Sequence, residues 1–158
     1  MHTSNHLPAE VFGEVIRNTP LVAIDLVVRD QSGRALLGKR LNRPAQGYWF
    51  APGGRIRKNE TLDAAFLRLT AAELGQPIPR SRARLQGVWD HIYEDNVLGA
   101  PGYGTHYVVL AHELWVDATA LQLPTEQHDA YRWLSDTEIL ADATVHPNTQ
   151  AYFRHTGV

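Results

Sequence analysis

The chain has 158 residues, of which 44% are hydrophobic and 20% charged, a size and composition typical of one globular domain. Fifteen basic residues against seventeen acidic ones give a formal net charge of -2, which argues against a protein that binds nucleic acid through counterion release. The absence of cysteine excludes disulfides, thiolate metal ligands and cysteine nucleophiles, so any bound metal would be held by oxygen or imidazole.

The apolar pattern predicts an α+β fold with a mixed sheet and helices packed outside it. The first fifteen residues lack a basic segment and an apolar segment, and no run of about eighteen apolar residues follows, so we expect a cytoplasmic protein without a membrane segment. Predicted helices cover residues 8–17, the stretch from Asn59 or Thr61 to Gly75, 136–141 and 148–155. Predicted strands cover residues 21–29, 35–39, 47–51, 84–93, 106–116 and 131–134.

One charged residue interrupts the strand predicted at 21–29, which is otherwise almost entirely apolar and therefore expected to be buried on both faces. This residue is Asp25. A carboxylate in such a strand is costly unless it is paired or hydrogen-bonded. A structural pair and a functional carboxylate are equally compatible with that position.

The segment at residues 53–75 leads from a glycine-rich loop into a helix. Arg55 and Arg57 follow the two glycines of the loop, and the forked donors of arginine suit phosphate oxygens. Taken alone, the segment is more simply interpreted as a solvated amphipathic helix after a tight turn.

The spacing in this segment resembles the Nudix box, G-x5-E-x7-R-E-U-x-E-E-x-G-U, in which U is a bulky aliphatic residue. Gly54 is followed after five residues by Glu60 and after seven more by Arg68, and Glu73 and Gly75 also match. Leu69 and Ala72 stand where the box has glutamates. The resemblance implies the Nudix fold, with a mixed sheet sandwiched between helices, and a divalent ion at the loop and helix. The missing carboxylates imply fewer ions than a usual box holds.

Longer strings, above all RPAQGYWFAPGGR at 43–55 and EQHD at 126–129, resemble the GDP-mannose mannosyl hydrolases, a Nudix branch with an altered box. The resemblance runs from about residue 12 to about residue 153. It implies one hydrolase domain over residues 1–158 that converts GDP-mannose, and GDP-glucose, to GDP and free sugar by attack of water at sugar C1 with inversion. It also implies one Mg²⁺ per site, replaceable by Mn²⁺, and a homodimer with no nucleic-acid or membrane partner.

The resemblance assigns the metal ligands and the base to residues of this sequence. Gly53 would offer a backbone oxygen, Glu73 a carboxylate and Gln127 an amide oxygen to Mg²⁺. His128 matches the general base, and an imidazole can accept a proton from water near neutral pH. Without the resemblance, Gln127 and His128 are more simply interpreted as loop residues.

The resemblance also assigns residues to the substrate. Arg40, Arg55 and Arg68 would surround the departing diphosphate, although Arg68 also matches the arginine that braces Glu60 in the box. A separate group would contact the sugar, the phosphates or guanine. In it, Asp25 would orient groups or stabilise charge at the sugar, His91 would add positive charge or a hydrogen bond, and Tyr107 would donate to a phosphate. Phe12 and Tyr93 are candidates for stacking on guanine, although Phe12 is equally compatible with a place in the core.

Two alternatives to this function stay open. One is an ordinary Nudix pyrophosphatase that cleaves a nucleoside diphosphate sugar at phosphorus, and the other is a non-catalytic nucleotide-sugar-binding domain. The string LGAPGYGTHY at 98–107 is one residue longer than the resemblance leads us to expect, so the preference among sugars is also open.

Overall fold

The computed structural model describes residues 6–124 and 128–154, with the main chain alone for residues 128 and 129. The described helices are α1 (Ala9–Asn18), α2 (Leu62–Leu74), α3 (Asp136–Ala141) and α4 (Pro147–Gln150). The described strands are β1 (Leu21–Arg29), β2 (Ala35–Arg40), β3 (Trp49–Phe50), β4 (Gly53–Arg55), β5 (Arg84–Tyr93), β6 (Thr105–Trp115) and β7 (His128–Leu134). Short 3₁₀ helices lie at Arg80–Arg82, Ala118–Ala120 and Ala151–Phe153. No described helix is long and apolar enough to cross a membrane.

The strands form one mixed sheet in the order β3-β2-β1-β6-β5. The central pair, β1 and β6, is parallel, and β5 runs antiparallel to β6 at one edge. Two further strands join off this path: β4 pairs with β1, and β7 pairs with β2, both antiparallel. The α+β class and the mixed sheet predicted from the sequence are confirmed.

Two apolar clusters cover the two faces of the sheet, as alternation along a strand requires. On one face, Ile24, Leu26 and Val28 of β1 pack against α2. On the other face, Ala23 and Val27 pack against the C-terminal segment that contains α3, α4 and the 3₁₀ helix Ala151–Phe153. Strand β1 is therefore covered on both sides, as its apolar sequence predicts.

The two ends of helix α2 are set by capping residues. The Thr61 side chain accepts a hydrogen bond from the backbone N–H of Ala64, which caps the first turn. Gly75 follows the last turn at φ 71°, the left-handed conformation that glycine adopts without strain. Thr61, rather than Asn59, is thus the cap.

The structure corrects several details of the predicted elements. The glycine-rich segment is not only a loop, because Gly53–Arg55 forms β4 against β1. Strand β7 begins at His128, three residues before the predicted start, and the last helix ends at Gln150 before a 3₁₀ turn. Val11 and Leu62 are exposed, whereas Ile16 and Ala65 of the same two helices are buried.

Candidate active site

A cavity of about 180 Å³ opens at one end of the sheet, on the face that carries the C-terminal segment. Its lining consists of Ala23, Asp25, Arg40, Pro44, Phe50, Ala51, Gly53, Gly54, Arg55, His91, Tyr93, Tyr107 and Val109. Seven of the residues that the sequence singled out are in this lining. They come from five different strands, so the pairing of these strands brings together residues that are far apart in the sequence.

Strand alternation explains why these side chains meet. Residues two apart share one face of a strand, so Asp25 follows Ala23 on β1, Tyr93 follows His91 on β5, and Val109 follows Tyr107 on β6. Register completes the arrangement, because His91 lies opposite Tyr107 and Asp25 lies opposite Gly53.

The Asp25 carboxylate is held by a residue that the sequence did not single out. The hydroxyl of Tyr152 donates to Asp25 Oδ2 at 2.6 Å and lies 3.3 Å from His91 Nε2. Burial raises the pKa of Asp25 to about 6, while the hydrogen bond from Tyr152 and the positive charge of Arg40 act in the opposite direction. The carboxylate is therefore hydrogen-bonded, as its place in an apolar strand requires.

Gly53 permits the close approach of β4 to Asp25. A Cβ added at Gly53 would lie 2.5 Å from Asp25 Oδ1 and would collide with the carbonyl oxygen of Ile24. A side chain cannot be accommodated there without moving backbone, so this position specifies glycine for steric reasons.

Two arginines bring positive charge to the cavity. The guanidinium of Arg40 lies 5.4 Å from the ring centroid of Phe50, and that of Arg55 lies 4.6 Å from the ring centroid of Phe12. Burial lowers the pKa of Arg55, and the charges of Arg57 and Arg68 lower it further, although a guanidinium stays protonated at any ordinary pH. Partly desolvated cations in a cleft favour an anionic ligand.

Arg68 is held away from the cavity. Its Nε and Nη2 donate to the two carboxylate oxygens of Glu60 at 2.6 and 2.9 Å, and Nη2 also donates to the carbonyl of Arg55 at 2.9 Å. Glu60 further accepts from the backbone N–H of Arg57 at 3.0 Å. The structure therefore favours the alternative in which Arg68 braces Glu60 and the loop, and Arg68 is not in the cavity lining.

Glu73 is the buried carboxylate of α2, with 3% of its surface exposed. Burial raises its pKa to about 7, the charge of Asp25 adds to that rise, and the charge of Arg40 opposes it. Glu73 therefore lies within electrostatic range of the cavity residues Asp25 and Arg40. Within residues 6–124 and 128–154, no three or more His, Asp or Glu side chains cluster as a metal site.

The ligand atoms proposed for Mg²⁺ are of the type that this ion prefers. A carboxylate and a backbone carbonyl are hard oxygen ligands, and a cation beside Glu73 would favour its ionised form against the effect of burial. The third proposed ligand, Gln127, lies outside the described residues. So does the His128 side chain, although the main chain of His128 is paired with Arg40 at the start of β7.

The surroundings of His91 favour its neutral form. It is 4% exposed, and burial lowers its pKa to about 4, with a further contribution from the nearby His146. The lowered pKa disfavours positive charge at His91 near pH 7 and favours the alternative in which His91 contributes a hydrogen bond.

The two cavity tyrosines keep their hydroxyl hydrogens. Burial raises the pKa of Tyr93 to about 12 and also raises that of Tyr107. Both can donate hydrogen bonds to a ligand at any pH at which the protein would work. Phe12 is outside the lining, and its ring contacts the guanidinium of the lining residue Arg55.

Sequence reasoning missed Tyr152 and His146. Tyr152 is 127 positions from the carboxylate it contacts, and no periodic pattern links two such residues. The ring of His146 stacks on Phe50, with centroids 4.7 Å apart. Both lie in the string VHPNTQAYF at residues 145–153, where the resemblance assigned no role to any residue.

Comparison with known proteins identifies the family to which this chain belongs. A family model described as the NUDIX domain matches residues 19–155. The low-salt glycan biosynthesis protein Agl8 of Haloferax volcanii is 38% identical over 124 residues, covering 78% of this chain and 76% of that protein. The MutT NUDIX hydrolase structure from Burkholderia pseudomallei has 26% identity and a TM-score of 0.69, covering 89% of this chain and 100% of the other.

A second similar structure contains a ligand. The NUDIX domain of Shewanella oneidensis NrtR, complexed with ADP ribose, superposes with a TM-score of 0.63 at 18% identity, covering 93% of this chain and 91% of the other. At this identity the similarity concerns the fold. The chain belongs to the Nudix family, and its class is that of the Nudix hydrolases.

Proposed function

We propose that this Nudix protein hydrolyses GDP-mannose, and GDP-glucose, to GDP and free sugar, by attack of water at sugar C1 with inversion. The observation that carries the proposal is the composition of the box. Glu60 is engaged by Arg68, and Leu69 and Ala72 occupy glutamate positions, which leaves Glu73 as the box glutamate near the cavity. So few carboxylates suit one metal ion better than the several ions of a usual box.

The chemistry of C–O cleavage matches the groups around the cavity. An oxocarbenium-like transition state expels a diphosphate, which is already a stabilised anion and has little need of a general acid. Such a reaction needs fixed positive charge near the leaving group and a base for the attacking water. Arg40 and Arg55 provide the charge, and the hydroxyls of Tyr93 and Tyr107 provide donors to phosphate oxygens or the nucleoside.

The base in this proposal is His128. Its main chain pairs with Arg40, which brings the start of β7 next to a cavity residue. Asp25, held by Tyr152, would steady positive charge that develops at the sugar. When bound, Mg²⁺ would supply charge neutralisation for the diphosphate, and Glu73, the Gly53 carbonyl and Gln127 would hold it, with Mn²⁺ as a substitute.

The relatives support a sugar-containing nucleotide as substrate. The name of the Haloferax protein refers to glycan biosynthesis, and the NrtR domain was crystallised with ADP ribose. The proposal also includes the resemblance's wider implications: one hydrolase domain over residues 1–158, a homodimer, a cytoplasmic location, and no nucleic-acid or membrane partner.

Oxygen from ¹⁸O-labelled water ends up on the atom that water attacks, so the label identifies which bond is cleaved. Hydrolysis of GDP-mannose in H₂¹⁸O with Mg²⁺, followed by mass spectrometry, should place the label in mannose and leave GDP unlabelled. Label in a phosphate product, or GMP with sugar phosphate as products, would instead identify an ordinary pyrophosphatase. Tight GDP binding without turnover at any Mg²⁺ or Mn²⁺ concentration would identify a non-catalytic domain.

A further inference from the structure

Tyr152 lies behind the cavity and touches two side chains that line it. Its hydroxyl contacts Asp25 Oδ2 and His91 Nε2, and its ring packs edge-on against Trp89 with centroids 4.9 Å apart. Its backbone carbonyl accepts a hydrogen bond from the Gln86 side chain at 2.6 Å. Tyr152 is 3% exposed and belongs to the 3₁₀ helix Ala151–Phe153. The residue therefore links the C-terminal segment to two strands of the site.

The direction of the hydrogen bonds follows from counting hydrogens. Tyr152 has one hydroxyl hydrogen, and the 2.6 Å distance to Asp25 is that of an O–H group donating to a carboxylate. When Asp25 is ionised, as it is at pH 8, above its pKa of about 6, a hydrogen that pointed to His91 would leave two oxygens facing each other at 2.6 Å with no hydrogen between them. Donation to Asp25 leaves His91 only one way to bond the same oxygen, which is to donate from Nε2.

We propose that Tyr152 is a positioning residue that orients Asp25 and fixes His91 in the Nε2–H tautomer. The chain of donation runs from His91 Nε2–H to the Tyr152 hydroxyl oxygen, and from the Tyr152 hydroxyl to Asp25 Oδ2. Burial and the neighbouring Asp25 charge raise the pKa of Tyr152 far above its usual range, so the hydroxyl keeps the hydrogen that this chain requires.

The tautomer decides what His91 can offer a ligand. With Nε2–H committed to Tyr152, the remaining ring nitrogen, Nδ1, has no hydrogen and can only accept. A phosphate oxygen is also an acceptor, so His91 would bond a hydroxyl of the substrate or a water rather than the diphosphate. This consequence rests on the proposed function, because it assumes a nucleotide sugar in the cavity.

The tautomer can be measured without turnover. In uniformly ¹⁵N-labelled full-length protein at pH 8, a long-range ¹H–¹⁵N spectrum should show His91 Nε2 as the protonated nitrogen and Nδ1 as the unprotonated one. The His91 signals are identified by their loss in His91→Gln. A protonated Nδ1 in the wild-type protein would overturn the proposal, whatever reaction the protein catalyses.

If Tyr152 positions Asp25 and His91 without touching the ligand, its loss should lower kcat much more than it changes KM or the Kd for GDP. Tyr152→Phe keeps the ring packing but removes the hydroxyl, and losing a hydrogen bond to a charged group should lower kcat for GDP-mannose by about ten- to a hundredfold. The KM and the Kd for GDP should change less than about threefold, because no ligand contact is removed. Tyr103→Phe, in the loop outside the cavity lining, is the matched control.

The outcomes separate the two hypotheses. A folded Tyr152→Phe variant with kcat within about twofold of wild type, or with GDP binding lost in parallel with kcat, would contradict the positioning role. A wild-type protein that does not hydrolyse GDP-mannose would contradict the proposed function alone, and the tautomer measurement would still decide the assignment of Tyr152.

Discussion

Replacing Glu73 with glutamine should stabilise the metal-free protein at alkaline pH. Burial raises the pKa of the Glu73 carboxyl from 4.5 to about 7. The folded protein therefore binds this proton more tightly than the unfolded chain, so the stability contributed by Glu73 falls as the pH rises above 4.5. The loss is complete above about pH 7, where both states are ionised.

The size of the effect follows from the same values. The rise in pKa corresponds to a loss of about 3 kcal/mol at pH 8 and about 1 kcal/mol at pH 5. Glutamine has nearly the shape of glutamate and carries no charge, so Glu73→Gln removes this pH-dependent cost. We expect the variant to exceed wild type in unfolding free energy by about these amounts.

Urea unfolding in EDTA at pH 5 and pH 8, followed by tryptophan fluorescence, measures both differences. Glu94→Gln is the control, since Glu94 is exposed just after β5. Adding Mg²⁺ at pH 8 should stabilise wild type and not Glu73→Gln, because a ligand that binds the folded state raises its stability. A difference between variant and wild type that is the same at both pH values, or a variant less stable at pH 8, would refute the reasoning.

Four further substitutions test the fold and the site. Glu113→Gln should cost about 3 to 5 kcal/mol in urea unfolding, because it weakens the pairing of the buried Arg29 guanidinium, which lies 2.8 Å from Glu113. Gly53→Ala should cost about 2 to 3 kcal/mol in the same assay, whereas Gly54→Ala, whose Cβ meets only the end of a leucine side chain, should cost about 1 kcal/mol. His128→Gln should lower kcat for GDP-mannose by about a hundredfold or more with an unchanged melting temperature, and near-normal turnover would exclude His128 as the base.

The helices and strands that the sequence predicted well are those whose two ends are marked by turn or capping residues. Strand β1 was predicted at its observed bounds, because an apolar run lies between Pro20 and a turn at residues 30–33. Helix α2 was predicted because Thr61 and Gly75 mark its ends and the residues between them favour a helix.

The parts that were not predicted depend on contacts between distant residues. The pairing of β4 with β1 places Gly53 and Gly54 beside an apolar strand, but two glycines in sequence are equally typical of a loop. Asp25 was recognised as unusual, but its partner Tyr152 has no signal of its own. Arg68 matched two roles in the box, and only its two bonds to Glu60 favour one of them.

The contact between Tyr152 and Asp25 makes the geometry of the site depend on the short 3₁₀ helix Ala151–Phe153. The pairing of β1 with β6 does not involve residues 151–153, so the sheet does not depend on the hydrogen bond that holds Asp25. Short segments such as this open more readily than a central sheet. Transient detachment of the C-terminal turn would then switch catalysis off while most of the fold stays intact, so activity would be lost before the sheet unfolds.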